Sequence, residues 1–313
     1  MMSDLKINDK SRKHAFLIAA HNNWDLLVKI IRILDNERND IYIHINKNVN
    51  DFDFEYFRTL PTHSNVYYIE RFVIEWGTEQ WLLANLTFLK EARGNGNYMY
   101  YHNLTGGDMP IKPMSVIHDF FDKNKGKEFL HFTSIPPINR NIYERYSLDH
   151  RFEKYVNRNI LNHKIELKSL LIKTVSITYL MAQRFLRIDK QKNNPYELCY
   201  GASWFSITDE LAEYLIENID WVKKYFTNTF ACDECCLQTL VYHSPFKDKL
   251  YDNKFDGNYR ACQRFIIWKD GTPYIWREQD FDKLIGSELM FARKFNPTVD
   301  NNIIEKIFNY VIQ

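Results

Sequence analysis

Between His14 and Phe132 short apolar runs alternate with segments of helical periodicity, and this alternation restricts the possible folds more than any other feature. HAFLIAA at 14–20 is a continuous apolar run closed by an Asn-rich turn. Leu26, Leu27, Ile30 and Ile31 then recur at the i, i+3, i+4 spacing of a buried helix face. IYIHIN at 41–46 and NVYYIE at 65–70 read as further strands, with an amphipathic helix over 80–92 that turns Leu83, Ala84 and Leu86 inward. YMYYHNL at 98–104 is a fourth strand, followed by a helix over about 115–121 and a strand, EFLHF, at 128–132. Strands separated by helices predict an α/β fold with a mostly parallel central sheet flanked by helices.

Residues 137–195 interrupt this pattern with a helical insertion rich in Asn, Arg, Lys and Leu. Within it the stretch over about 165–190 mixes apolar residues with Lys168, Lys173, Arg184, Arg187 and Lys190. Two readings stay open for it: a helix packed on its own domain with a solvated basic face, or a basic amphipathic helix in peripheral contact with an anionic membrane surface. After Pro195 a strand is expected at LCYGASWFSI, then helices from Asp209 to about Lys224 and through Asp233 to Val241. FARKF at 291–295 reads as a short turn between a helix beginning near Asp280 and a terminal helix carrying Ile303, Ile304, Ile307 and Phe308. The whole, 1–313, is expected to be one domain.

The formal charge of +1 leaves no global field to draw the chain to nucleic acid. An apolar run long enough to span a bilayer is missing from the sequence, and MMSDLKINDKSRK is polar where a signal peptide has its apolar segment. The expected localisation is therefore cytoplasmic, or peripheral on the inner face of the plasma membrane. Five cysteines suit free thiols in a reducing compartment, and Cys232, Cys235 and Cys236, without a second CxxC or a His pair, read as packed core.

The stretch Tyr98 to Pro113, YMYYHNLTGGDMPIKP, has the character of a site edge: Gly106 and Gly107 permit close backbone approach or positive φ, and Asp108 adds a carboxylate at a strand's carboxyl end. Together with HNNWDLL at 21–27, IYIHINKN at 41–48, GASWFSIT at 201–208 and LMFARKF at 289–295, in that order, it resembles the Core-2/I-branching and peptide O-xylosyltransferase family of glycosyltransferases. The likeness runs from Ala15 to about Phe295 and weakens between 135 and 195. It implies a GT-A-like fold and an inverting transfer of a sugar, N-acetylglucosamine by default or xylose, from a UDP-sugar to a hydroxyl of a glycan or lipid-linked glycan. Composition adds the expectation of a bacterial setting such as capsule or other surface polysaccharide synthesis.

The resemblance also assigns roles. Glu234 of ACDECCLQTL matches the catalytic base, with Asp233 beside it able to exchange roles. Arg293 and Lys294, in a donor-phosphate segment at about 258–313, match the position that neutralises the diphosphate without metal, so no cofactor is expected. His21, Asn22, Asn46, Arg71, Trp76, Gly77 and Asp108 fall at donor positions, and Ser203, Trp204, Trp268 and Glu144 at acceptor positions, with Arg145 a further candidate. GGDMP replaces the metal-binding Asp-x-Asp of many GT-A enzymes, while Asp51-Phe52-Asp53 and Asp280-Phe281-Asp282 fit that pattern in the wrong places. Two departures stand out: Asn46 replaces an Asp that recognises the nucleoside, and Tyr274 stands where relatives have a basic residue, with Arg277 nearby as a substitute. A catalytically degenerate carbohydrate-binding protein of the same fold is the alternative.

Overall fold

A computed structural model describes residues 13–75, 77–152, 155 and 167–312. Strands β1 (His14–Ala20), β2 (Asn39–Ile45), β3 (Asn65–Tyr68) and β4 (Tyr100–Thr105) are linked by helices α1 (Trp24–Leu34), α2 (Phe54–Arg58) and α3 (Gln80–Gly94). Further along lie β5 (Asp108–Pro110), α4 (Met114–Lys123), β6 (Phe129–Leu130), α5 (Arg140–Ser147) and β7 (Phe205–Ile207). The main sheet has the order β3-β2-β1-β4-β7-β6, parallel from β3 to β4, with β7 antiparallel to both its neighbours β4 and β6.

Every residue of β1 is buried, as a central strand covered on both faces must be. Its alternate side chains feed two cores: Ala15 and Leu17 meet Leu82, Leu86 and Leu89 of α3, while Phe16 and Ile18 meet Leu26, Leu27, Ile30 and Ile31 of α1. Helix α3 turns Leu82 and Ala84 fully inward and leaves Leu83 half-buried, one position from the expected stripe. The mostly parallel α/β architecture is therefore the observed one.

Two expectations need correction. The segment around FARKF is a strand, β11 (Phe291–Arg293), placed between β5, to which it runs antiparallel, and β8 (Arg264–Ile266), to which it runs parallel. Three residues are too few to show an alternation, yet Phe291 and Ala292 are buried and Arg293 lies opposite Asp108. The expected strand over 198–207 is regular only at Phe205–Ile207. Before it Gly201 passes so close to the chain after β6 that an added Cβ would stand 2.0 Å from the His131 carbonyl oxygen.

Arg264 ties the small sheet to the large one. Its buried guanidinium donates to the carbonyls of Phe205 (2.7 Å) and Asn103 (3.2 Å) and to Ser206 Oγ (2.9 Å), and it covers the Phe291 ring at 4.5 Å. Arg264 thus links β8, the neighbour of the strand that carries Arg293, to β7, which begins just after Trp204. The hairpin β9 (Trp268–Lys269) and β10 (Thr272–Pro273) follows β8.

Candidate active site

The carboxyl ends of β1, β4 and β11 and the loop before β7 converge on one rim. At the end of β4 the chain turns through Gly106 and Gly107, neither of which has positive φ. Gly106 is needed for closeness instead: a Cβ there would lie 3.1 Å from the Ala20 Cβ at the end of β1. The turn delivers Asp108 back toward the strand, where Oδ2 accepts the Thr105 N–H at 2.6 Å and Oδ1 accepts from Arg293 Nη1 at 2.7 Å. Arg293 also donates to Thr105 Oγ1 at 2.5 Å and lies 4.9 Å from the centre of the Trp204 ring. Asp108 is buried with both oxygens engaged, so it orients Arg293 rather than offering itself to a donor.

Lys294 differs from its neighbour. Among the described residues it has no ion-pair partner, and its pKa is lowered by burial and then by the adjacent Arg293. His21, at the end of β1, is exposed by area yet crowded by protein atoms; burial lowers its pKa first, then Lys294 and Arg293 lower it further. Arg293 and Lys294, with His21 beside them and a single compensating carboxylate, concentrate positive charge on one rim of a chain with almost no net charge. Asn22 is exposed beside them, and its carbonyl lies 3.9 Å from a Cβ built on Gly106.

Opposite stands the acidic turn Cys232–Glu234. The Glu234 carbonyl accepts Gly201 N–H at 2.8 Å, fastening this turn to the loop before β7. Its carboxylate Oε2 accepts from Tyr200 Oη at 2.9 Å and from Arg145 Nη1 at 3.5 Å. Oε1 has no hydrogen-bond partner among the described residues and is free to take a proton from a ligand. Burial raises the Glu234 pKa, against the lowering effect of Tyr200 and Arg145. Asp233 is raised further, to about 7, by burial and then by the Glu234 charge, while a hydrogen bond with the Ser203 side chain opposes the shift. The two acids therefore differ in partners: Asp233 is engaged with Ser203, Glu234 presents an open oxygen.

Several expected ligand contacts turn out to be internal. Arg71 donates to the carbonyls of Ile45 (3.1 Å), Asn46 (3.0 Å), Lys47 (3.3 Å) and Val49, so it shapes the loop after β2 instead of reaching for a phosphate. Glu144 pairs with Arg140 and Arg184 within the insertion, while its neighbour Arg145 is the α5 residue that reaches Glu234. Gly77 has φ +77°, and its carbonyl accepts Ala231 N–H at 2.9 Å, joining the segment after Arg71 to the acidic turn. Trp76 lies outside the described residues.

The unusual Asn46 has a structural reason. Its amide donates to the Ile74 carbonyl at 3.0 Å and accepts Asn48 N–H at 3.1 Å, the O/N assignment following from these partners. A carboxylate cannot donate to a carbonyl. Asn46→Asp is expected to cost about 1–3 kcal/mol of stability, measured by urea unfolding; an unchanged midpoint would show that the amide contact contributes nothing.

On the acceptor side Ser203 is buried and Trp204 is half-buried against the Arg293 guanidinium, whereas Trp268 is 46% exposed on its hairpin. Trp268 Nε1 donates to Tyr259 Oη at 2.6 Å, and Tyr259 stacks on His131 with centroids 4.3 Å apart. Burial pushes Tyr259 up to about 12, and the charges of Glu234 and Arg293 both act on it. Tyr259 and Tyr200 are site residues that the sequence did not single out: Tyr259 opens a single 3-10 turn, and Tyr200 lies in the irregular stretch before β7. Asp53 caps α2 by accepting Tyr56 N–H, and Asp280 accepts from Tyr274 Oη and Arg277 N–H. Cys232, Cys235 and Cys236 are buried free thiols in the core, and among the described residues no three His, Cys, Asp or Glu side chains gather as a metal-binding group.

The sequence profile described as "Core-2/I-Branching enzyme" matches residues 14–283 of this chain. The chain belongs to the Core-2/I-branching enzyme family. A curated relative, beta-1,3-galactosyl-O-glycosyl-glycoprotein beta-1,6-N-acetylglucosaminyltransferase 3 of Rattus norvegicus, is 25% identical over 42% of this chain and 36% of its own length. The chain thus spans little more than a third of that protein. Among solved structures, core-mannan synthase A of Aspergillus fumigatus, in an Mn/GDP form, aligns with a TM-score of 0.32 at 11% identity, covering 74% of this chain and 69% of that one. The match over 14–283 takes in the rim that carries His21, Asp108 and Glu234.

Proposed function

We propose that the protein is an inverting glycosyltransferase that moves a sugar from a UDP-sugar to a hydroxyl of a glycan without a metal ion. The observation that carries this reading is the pairing, on one rim, of a carboxylate with a free oxygen and a lysine with no counter-ion. Glu234 Oε1 takes the proton of the acceptor hydroxyl as that oxygen attacks the anomeric carbon. Tyr200 and Arg145 on Oε2 fix the carboxylate's orientation. Lys294, with Arg293 held against Asp108, meets the negative charge that grows on the departing diphosphate. A single base opposite the leaving group gives inversion, and Trp268 offers an exposed ring for the apolar face of a pyranose. N-acetylglucosamine is the donor sugar favoured by the name of the rat relative.

Titration calorimetry with UDP in the presence of EDTA tests the donor half. The expected result is saturable heat with the native protein and binding about tenfold weaker or worse for Lys294→Ala. Binding that appears only after Mn²⁺ is added would overturn the metal-free reading. Proton NMR of the transferred sugar tests inversion through the anomeric coupling of the product.

A further inference from the structure

The helix Leu167–Phe185 in the insertion leaves an apolar face in solvent. The two buried positions among its described residues are polar, Ser176 and Gln183, with Ile172, Tyr179 and Leu180 half-buried beside them, and Gln183 accepts Asp149 N–H at 2.8 Å while donating to the Asp149 carbonyl at 3.0 Å. Most of its apolar positions face out, with Leu170 56%, Leu171 60%, Met181 62% and Phe185 87% exposed, and Leu186, just past its end, 66% exposed. At 100° per residue the exposed apolar residues of this helix fill one arc of roughly 160°, with Lys173 and Arg184 along its edge. A monomeric soluble surface rarely carries an apolar patch of this extent.

Charge indicates what covers it. From 167 to 188 the sequence has four basic residues and no acidic one, and from 137 to 195 twelve basic against five acidic, in a chain with 41 against 40 overall. Arg184 pairs with Glu144, but Lys173 and Arg187 have no ion-pair partner among the described residues. An apolar face edged by Lys173 and Arg184 and followed by Arg187, in a segment with an excess of basic residues, is complementary to an anionic lipid surface. Two copies meeting through this face would set like charges together. No helix among the described residues is long and apolar enough to cross a membrane, so the contact is one of lying on the surface.

We propose that this helix docks the protein on an anionic membrane surface, and that the acceptor glycan is carried on a lipid in that surface. The acceptor clause rests on the glycosyltransferase reading above. The link between surface and site is short: Arg184 of the helix pairs with Glu144 of α5, whose next residue, Arg145, touches Glu234.

The test is flotation of the full-length protein with phosphatidylcholine vesicles, with and without phosphatidylglycerol. The native protein is expected to float with the anionic vesicles, and to do so less at high salt. The variant Leu171→Glu/Phe185→Glu, changed at exposed positions, is expected to lose at least about tenfold in vesicle binding while keeping its UDP affinity. Native protein that stays unbound, or a double variant that floats equally well, overturns docking. So does a dimer by light scattering that the double variant splits, since the face would then belong to a second copy. Loss of UDP binding in the native protein would instead defeat the transferase reading and leave the docking result standing. A docked enzyme that uses free and lipid-linked acceptors equally well overturns the acceptor clause.

Discussion

Glu234→Gln is expected to lower kcat by about 10²–10⁴, the usual contribution of a positioned general base, while UDP affinity stays as it was. Glutamine keeps an oxygen for the Tyr200 hydroxyl, so the turn stays anchored; the lost ion pair with Arg145 is partly exposed and contributes little to stability. The pH profile separates the two acids. Burial raises the Glu234 pKa, so activity should climb with rising pH as that carboxylate loses its proton. Burial, together with the Glu234 charge, holds the Asp233 proton up to about 7, so Glu234 is the first of the two to ionise. Asp233, the higher of the two, is still protonated when Glu234 ionises, so Asp233→Asn should leave the acid limb in place with kcat largely kept. If Asp233→Asn abolishes transfer and Glu234→Gln does not, the base is Asp233.

The sequence reveals the frame because the frame is built from long buried runs. β1 is seven residues with nothing exposed, and α1 repeats its apolar residues at helical spacing; both signals survive without tertiary information. β11 left no such signal, since three residues paired between two partners look like any Phe-Ala-Arg. At the site, likeness to a family marked Glu234 and the Arg293–Lys294 pair, but likeness cannot show which way a side chain is spent. Arg71 is spent on four carbonyls and Asp108 on Arg293, and only folded geometry distinguishes a ligand contact from an internal one. The helix Leu167–Phe185 makes the same point. Periodicity tells which residues share a face, whereas the surroundings decide which face the protein takes, and here it takes Ser176 and Gln183.

Lys294 and Arg293 were equivalent in sequence and are not equivalent in the structure, which leads to unequal expected effects. Arg293 is neutralised by Asp108 at 2.7 Å, so much of its charge is already answered before any ligand arrives. Lys294 carries its charge without a partner, in a place where burial and Arg293 make that charge costly. A diphosphate relieves that cost, and its developing charge at bond cleavage relieves it most. Lys294→Ala is therefore expected to lower kcat by about 10²–10³, the scale seen when one preorganised charge stabiliser is lost. It should also remove the alkaline limb of the pH profile, which arises as Lys294, lowered from its ordinary value, deprotonates with rising pH. Arg293→Lys should cost less in kcat but should loosen the rim, because a lysine cannot bridge Asp108 and Thr105 while covering Trp204. Steady-state kinetics of the two variants across pH, with UDP titrations in parallel, check the contrast. A larger kcat loss for Arg293→Lys than for Lys294→Ala would move the leaving-group contact to Arg293 and leave Lys294 as its support.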